Sequence, residues 1–205
     1  KRQLYEFDPA GCVLSITDAM GVKTDFTYDK MYNIISGKDA LGNTLTYGYD
    51  ENYNKISETD AKGNTTTYTY DSRDRLVKVT DALGNDITCT LNARGEAASI
   101  TDRLGNVTKT GYHKILGVPV SVEDALGNIS YYRYDKNGNV TKAIYPDGSE
   151  ISYSYDKAGR IVTMTAQNGL VTSISYDGNG NIIQIKDDET RVYTFECDLN
   201  NRLVR

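Results

Sequence analysis

The stretch 64–85, NTTTYTYDSRDRLVKVTDALGN, decides the fold, because most of the chain is this stretch written again. Its marker is Tyr70-Asp71. Equivalent positions stand 21 residues apart upstream, at Asp50, Asp29 and Asp8, and downstream at Asn92, His113, Asp135, Asp156, Asp177 and Asp198. Only the step from His113 to Asp135 is 22, which places one inserted residue near Pro119. Self-similarity at a fixed period of about 20–50 residues is the signature of a repeat architecture.

Inside each copy the period is that of strands. Leu45, Tyr47 and Tyr49 alternate with Thr46 and Gly48, and Thr66, Tyr68 and Tyr70 with Thr67 and Thr69. Alternation of this kind in a Thr- and Tyr-rich segment predicts a β-strand with two distinct faces. The residue before the marker is aromatic in eight of ten copies, including Tyr28, Tyr49, Tyr70, Tyr134, Tyr155 and Tyr176. Stacked copies would align these residues in columns, and cross-strand aromatic contacts of about 0.2–1 kcal/mol per pair are expected there.

A four-residue turn follows the marker, Ser72-Arg73-Asp74-Arg75 in the clean copy, and a second short strand runs from Leu76 to Thr80. Asp81-Ala82-Leu83-Gly84-Asn85 then returns the chain. An Asp able to bond forward, with a glycine able to take positive φ, fits a type I turn with a glycine bulge. The closing glycines are Gly42, Gly63, Gly84, Gly105, Gly127 and Gly148, whereas the ninth copy has Thr190 after Asp187-Asp188-Glu189. Each copy is therefore a β-hairpin. Ten copies predict about twenty strands, and a meander of that length curls or splits rather than staying flat. The expected fold is all-β, an array of about ten 21-residue hairpins forming a curved or spiralled ribbon. Residues 1–205 read as one continuous array, cut from a longer chain at both ends.

Composition narrows the function. Leu, Ile, Val and Phe together number 44 of 205, while 17 Tyr stand against no Trp. Tyrosine covers apolar surface and keeps a polar tip, so a thin wall wetted on at least one side is expected rather than a thick aliphatic core. A net charge of −5 supplies no basic stripe for nucleic acid. No apolar run approaches the roughly 20 residues of a membrane span. Cys12, Cys89 and Cys197 fall at different repeat positions without any CxxC pair and read as packing residues.

The marker and turn residues also carry a family resemblance. Tyr70-Asp71 with Asp74-Arg75-Leu76, and Tyr155-Asp156-Lys157-Ala158-Gly159-Arg160-Ile161, resemble the YDxxGRL signature of Rhs, or YD, repeats. The family includes bacterial Rhs polymorphic toxins, wall-associated proteins, shell components of tripartite toxin complexes and teneurins. The resemblance implies a hairpin ribbon spiralled into a hollow shell, part of a secreted or cell-surface protein. It implies as partners the remainder of the same longer chain and an encapsulated C-terminal toxin or effector domain, with no cofactor. Arg follows the turn at Arg75, Arg160 and Arg202 only; Asn33, Asn54, Asn139 and Asn181 stand there in other copies. The family's DPxGL segment does not occur in these residues.

Chemistry beyond a wall has little support. His113 is the only histidine and replaces a marker acid in a turn, so no Ser/His/Asp arrangement is singled out. Asp29, Asp50, Asp71, Asp135, Asp156 and Asp177 recur with the period, as do Asp18, Asp39, Asp60, Asp81, Asp102 and Asp124. Catalysis needs one unique pair in unlike environments; recurrence points to backbone capping. Calcium is the sharper alternative for these acids, but no calcium-loop motif is present. Exposed Tyr beside Asp and Asn leaves an adhesion or carbohydrate-binding module as the alternative function, with a glycan as partner.

Overall fold

A computed structural model describes residues 2–187, 191–198 and 200–204. The ninth closing segment, 188–190, lies outside them. The chain divides into two compact units, 1–106 and 107–205. In the first, the strands are β1 (Leu4–Phe7), β2 (Val13–Thr17), β3 (Lys23–Tyr28), β4 (Ile34–Lys38) and β5 (Thr44–Tyr49). They continue as β6 (Lys55–Thr59), β7 (Thr65–Tyr70), β8 (Leu76–Thr80), β9 (Asp86–Leu91) and β10 (Ala97–Thr101). The second unit holds β11 (Val107–Tyr112), β12 (Pro119–Glu123), β13 (Ile129–Tyr134), β14 (Val140–Ile144) and β15 (Glu150–Tyr155). It ends with β16 (Ile161–Ala166), β17 (Val171–Tyr176), β18 (Ile182–Asp187) and β19 (Arg191–Thr194).

Within each unit every strand pairs antiparallel with its neighbours in sequence, as in β7 with β6 and β8. In place of a twentieth strand, Cys197 and Leu203 form an isolated antiparallel bridge. No helix of the described residues is long and apolar enough to cross a membrane.

The alternation in the sequence becomes two unlike faces. Cross-strand partners share a face. The registers Phe26↔Gly37↔Leu45 and Tyr68↔Val79↔Ile87 trace an aromatic and aliphatic face. Thr27↔Ser36↔Thr46 and Ser57↔Thr67↔Thr80 trace a face of hydroxyls. Hydroxyls pair across this face in Thr27–Ser36 (2.6 Å), Thr59–Thr65 (2.8 Å) and Thr90–Ser99 (2.8 Å). Among the described residues, neither face is covered by a second layer in either unit. Among hydrophobic side chains described, only Ala143 is fully buried, at 3% exposure, between Tyr132 and Ile151 in the register. Stability must then come from ladders, turns and half-buried side chains.

The expected ring contacts along the columns do not form. Among the described residues one aromatic pair is in contact, Tyr5 and Phe7 of a single strand, with centroids 6.2 Å apart. The reason is geometric: an intervening strand separates successive column members by about 9.6 Å, whereas ring pairs need about 4.5–7 Å. The intervening residue fills the gap instead. Lys55 lies 4.7 Å from the Tyr68 ring centre and 5.6 Å from that of Tyr47, with its Nζ 2.6 Å from Glu58.

A bulge recurs in the second strand of each marker hairpin. Ser57 opposes Gly48 and Lys55 opposes Tyr49, leaving Ile56 without an opposite number. Leu14, Ile35, Val77, Val120, Val162 and Ile183 hold the same place elsewhere. A bulge of this kind turns two consecutive residues toward one side. A Cβ on Gly48 would meet both Ser57 Oγ at 2.5 Å and Ile56 Cγ1 at 3.8 Å, so the bulged aliphatic stands on the hydroxyl face.

Gly48 itself is not required by the backbone. It lacks a positive φ, and the equivalent place holds Thr27, Thr90 or Ser154 in other copies. Ser57 can rotate toward a new hydroxyl, as Ser36 does toward Thr27. Gly48→Thr is therefore expected to raise stability by about 0.5–1 kcal/mol. Denaturant melts of the two proteins check this, and a loss of stability would contradict it.

Candidate functional site

The recurring side chains converge on the two edges of each unit's sheet, where the turns lie. Both turn types are built alike. The first residue's N–H donates to the carbonyl four residues on, and its carbonyl accepts the N–H three residues on. In the clean copy these are Asp71 to Arg75 (2.9 Å) and Asp74 to Asp71 (3.0 Å); in its closing turn, Asp81 to Asn85 (3.0 Å) and Gly84 to Asp81 (2.9 Å). This is the type I turn with a bulge in positive φ, expected for the closing turn only. At the markers, Tyr32, Tyr53, Asp74 and Asn201 adopt φ of 58–67° without being glycine. The closing glycines 42, 63, 84, 105, 127 and 148 lie at φ of 80–86°.

Where the first position is aspartate, as in most of the turns, it organises the turn. One carboxylate oxygen of Asp29 accepts the N–H groups of Met31 (2.8 Å) and Asn33 (2.9 Å), and the other accepts Asn33 Nδ2 (2.9 Å). Asp50, Asp135 and Asp177 do the same with Asn54, Asn139 and Asn181. Where Arg replaces Asn the second oxygen takes the guanidinium, from Arg75 at 2.8 and 2.6 Å and from Arg160 at 2.7 Å. The Asn/Arg variation in the sequence is thus two ways of meeting one acceptor. In the fifth copy the roles exchange: Asn92 caps the turn and gives its Nδ2 to Glu96 (2.6 Å). His113 caps the sixth, its Nδ1 accepting from Ile115 and Leu116. Each of these side chains is engaged by the turn it caps.

These bonds set the electrostatics. The Arg75 side chain, with backbone N–H groups, holds the Asp71 carboxyl at about 2 against an ordinary 3.8. Asparagine side chains lower Asp29, Asp50, Asp135 and Asp177 in the same direction. Asp156 is lowered first by its backbone bond from Arg160. Among the described residues no group of three or more His, Cys, Asp or Glu is placed to hold a metal ion.

The marker tyrosines work differently from the packing role expected of them. Tyr28 donates its hydroxyl to the Val13 carbonyl (2.8 Å), Tyr49 to Ile34 (2.9 Å) and Tyr70 to Lys55 (2.9 Å). Tyr134, Tyr155 and Tyr176 repeat this with Pro119, Val140 and Ile161. Each acceptor lies two residues before the point where the ladder to the next hairpin begins, at Ser15, Ser36 or Ser57 in the first unit. The tyrosine therefore staples neighbouring copies where the ladder has not yet begun. Burial pushes the hydroxyls of Tyr28, Tyr49, Tyr134 and Tyr155 up, which keeps them protonated donors. Tyr70→Phe retains the ring and leaves one carbonyl without its partner, so stability should fall by about 1 kcal/mol. Equal denaturation midpoints for the two proteins would exclude the staple.

Successive marker turns also touch. Asn54 Nδ2 reaches Asp74 Oδ1 (2.8 Å), and Asn181 Nδ2 reaches Asn201 Oδ1 (2.9 Å). Arg160 lies over the next marker ring, Tyr176, at 4.4 Å. Cys12, Cys89 and Cys197 are free thiols, and Cys89 Sγ points to the Leu76 carbonyl at 3.4 Å.

Sequence reasoning did not see the bulge, the staple or the side-chain partner of the second carboxylate oxygen. A signal for the bulge was present: Ile34-Ile35, Leu76-Val77, Ile161-Val162 and Ile182-Ile183 are paired aliphatics that break the alternation.

Comparison with known proteins agrees with this build. The RHS Repeat family model matches residues 54–86, 119–150 and 134–171. No curated protein sequence matches. Among solved structures, 98% of the chain superposes on TcdB2-TccC3 at 16% identity and on TcdB2-TccC3-TEV at 13% identity, both with a TM-score of 0.79. TcdB2-TccC3 without its hypervariable C-terminal region gives 0.63 at 14% identity. The chain spans 12% of the length of the first two and 16% of the third. At these identities the likeness is one of fold, and the matched segments with the Tyr-Asp period make the chain similar to Rhs/YD-repeat proteins.

Proposed function

We propose that this chain is a non-catalytic wall segment of an Rhs/YD-repeat shell, and that the shell encloses a toxin or effector domain of a secreted or surface-exposed protein. One observation carries the reading: the recurring polar side chains are engaged within the array, in turn caps and staples, leaving no unique constellation for chemistry. A sheet without a second layer on either face is suited to separating two spaces rather than to surrounding a core. The partners are the remainder of the longer protein and its cargo. Limited proteolysis of the full-length protein tests this. The cargo segment should survive protease that digests the same segment expressed alone; equal digestion rates would refute enclosure.

A second reading rests on a recess of about 300 Å³ on the aromatic face, lined by Phe26, Gly37, Leu45 and Tyr47 with Asp39 and Asn43 at its rim. Such a floor suits a sugar ring in an adhesive module. The rim is less suited, because Asp39 already accepts from Leu41 N, Asn43 N and Asn43 Nδ2. A glycan array without a binder would dispose of it.

A further inference from the structure

We propose that the closing-turn edge is a seam, at which leucine side chains dock on another run of the same 21-residue repeats. The molecule contains its own control. Both edges use the same turn, with the same backbone bonds and the same aspartate cap, so turn chemistry asks for the same residues on each. They differ at the third turn position. On the marker edge of the first unit that position holds Ala10, Met31, Asn52, Arg73 and Arg94, so one long apolar side chain stands there among five turns. On the closing edge of the first unit it holds Met20, Leu41, Leu83 and Leu104, with Lys62 as the exception.

These side chains do nothing for the hairpin that carries them. Leu41 and Leu83 are 88% exposed and Leu104 is 87% exposed. Their backbones are nonetheless held, each N–H bonded to its aspartate at 2.8–2.9 Å. The result is a set of rigid apolar knobs at intervals of two strands, or about 9.6 Å, interrupted at Lys62. Exposed apolar surface that recurs in this way marks an interaction site.

Spacing identifies the occupant. A partner that meets every knob must offer apolar positions at the same interval, and a second array of this build does so. The bulged aliphatics Leu14, Ile35, Ile56 and Val77 recur every 21 residues, and Leu14, Ile35 and Ile56 are 36–41% exposed. Knobs and row are different surfaces of one ribbon, so the contact is heterologous and can be continued by a third run. A few leucines bury little area, which makes the contact weak between separate molecules. Within one long chain the effective concentration is on the order of millimolar and favours it. In its biological setting the seam rests on the wall reading, since it would join successive passes of the wall.

The test places a photo-crosslinking phenylalanine analogue at Leu83 of the full-length protein and maps the products by mass spectrometry. Crosslinks to bulged aliphatic positions of another repeat run are expected, with none from the same analogue at Arg73. Leu41→Lys with Leu104→Lys should cut the Leu83 products several-fold. The turn accepts lysine, as Lys62 shows, and an unchanged far-UV spectrum checks that the fold survives. An absence of products, or products that the lysines leave unchanged, would overturn the seam. Cargo that stays protease-resistant in the same sample would show that the wall reading survives that failure.

Discussion

Gly95→Val is expected to cost about 2–3 kcal/mol, a large loss for one half-buried turn residue. Two effects combine. Gly95 holds φ at +91°, a conformation that a β-branched residue rarely adopts. Its missing Cβ also makes room for the preceding copy, because an added Cβ would lie 3.1 Å from Arg75 Nη1 and 3.6 Å from Arg75 Cδ. The arginine cannot simply withdraw: its Nε and Nη2 are held by Asp71 at 2.8 and 2.6 Å. Asparagine separates the two effects, since it tolerates positive φ better than other side chains. Gly95→Asn alone should be penalised by the guanidinium. Combined with Arg75→Asn it recreates the Asn181–Asn201 contact seen elsewhere in the chain. A double-mutant cycle should return about 1 kcal/mol of favourable coupling. Strict additivity would mean that neighbouring turns do not sense each other.

Acidification should unfold the array through many turns at once. Asp71 titrates at about 2 in the folded chain, against an ordinary 3.8, and Asp29, Asp39, Asp50, Asp60, Asp81, Asp102 and Asp124 are shifted the same way. A carboxyl with a depressed folded pKa binds protons more readily when unfolded. Its stabilisation is therefore complete above the unfolded value and drains away as pH falls toward the folded one. The melting temperature should be level from pH 7 to about 5, decline through pH 4 and keep declining toward pH 2. Thermal melts followed by far-UV dichroism at unit pH steps check the profile. A melting temperature that holds to pH 3 would mean that the caps contribute little.

Much of this was legible in the sequence, because backbone geometry writes itself into residue choice. The 21-residue period, the hairpins and the closing turn follow from Tyr/Thr alternation and from an Asp-x-x-Gly spacing that only a few turns accommodate. The marker turn was harder to read. Its positive-φ position holds glycine at Gly11, Gly95, Gly138, Gly159 and Gly180 but Tyr32, Tyr53, Asp74 and Asn201 in other copies, so the glycine that announces the closing turn is an inconstant signal there. The role of Tyr70 was hidden for another reason. A tyrosine in a strand reads as packing surface, whereas its hydroxyl acts on a carbonyl 15 residues earlier, exposed only because a bulge delays the next ladder. Single-sequence patterns carry local geometry well and offsets between neighbouring copies poorly.

Pairing between sequence neighbours has a mechanical consequence. Each hairpin is held by its own turn and by the copies beside it, so tension on the termini loads the array one copy at a time, from an end. Extension should proceed as a series of similar rips, each releasing 21 residues or roughly 7 nm of contour, rather than as one rupture. The same property confines damage. A broken turn should loosen its own hairpin and its two neighbours while distant copies keep their shape.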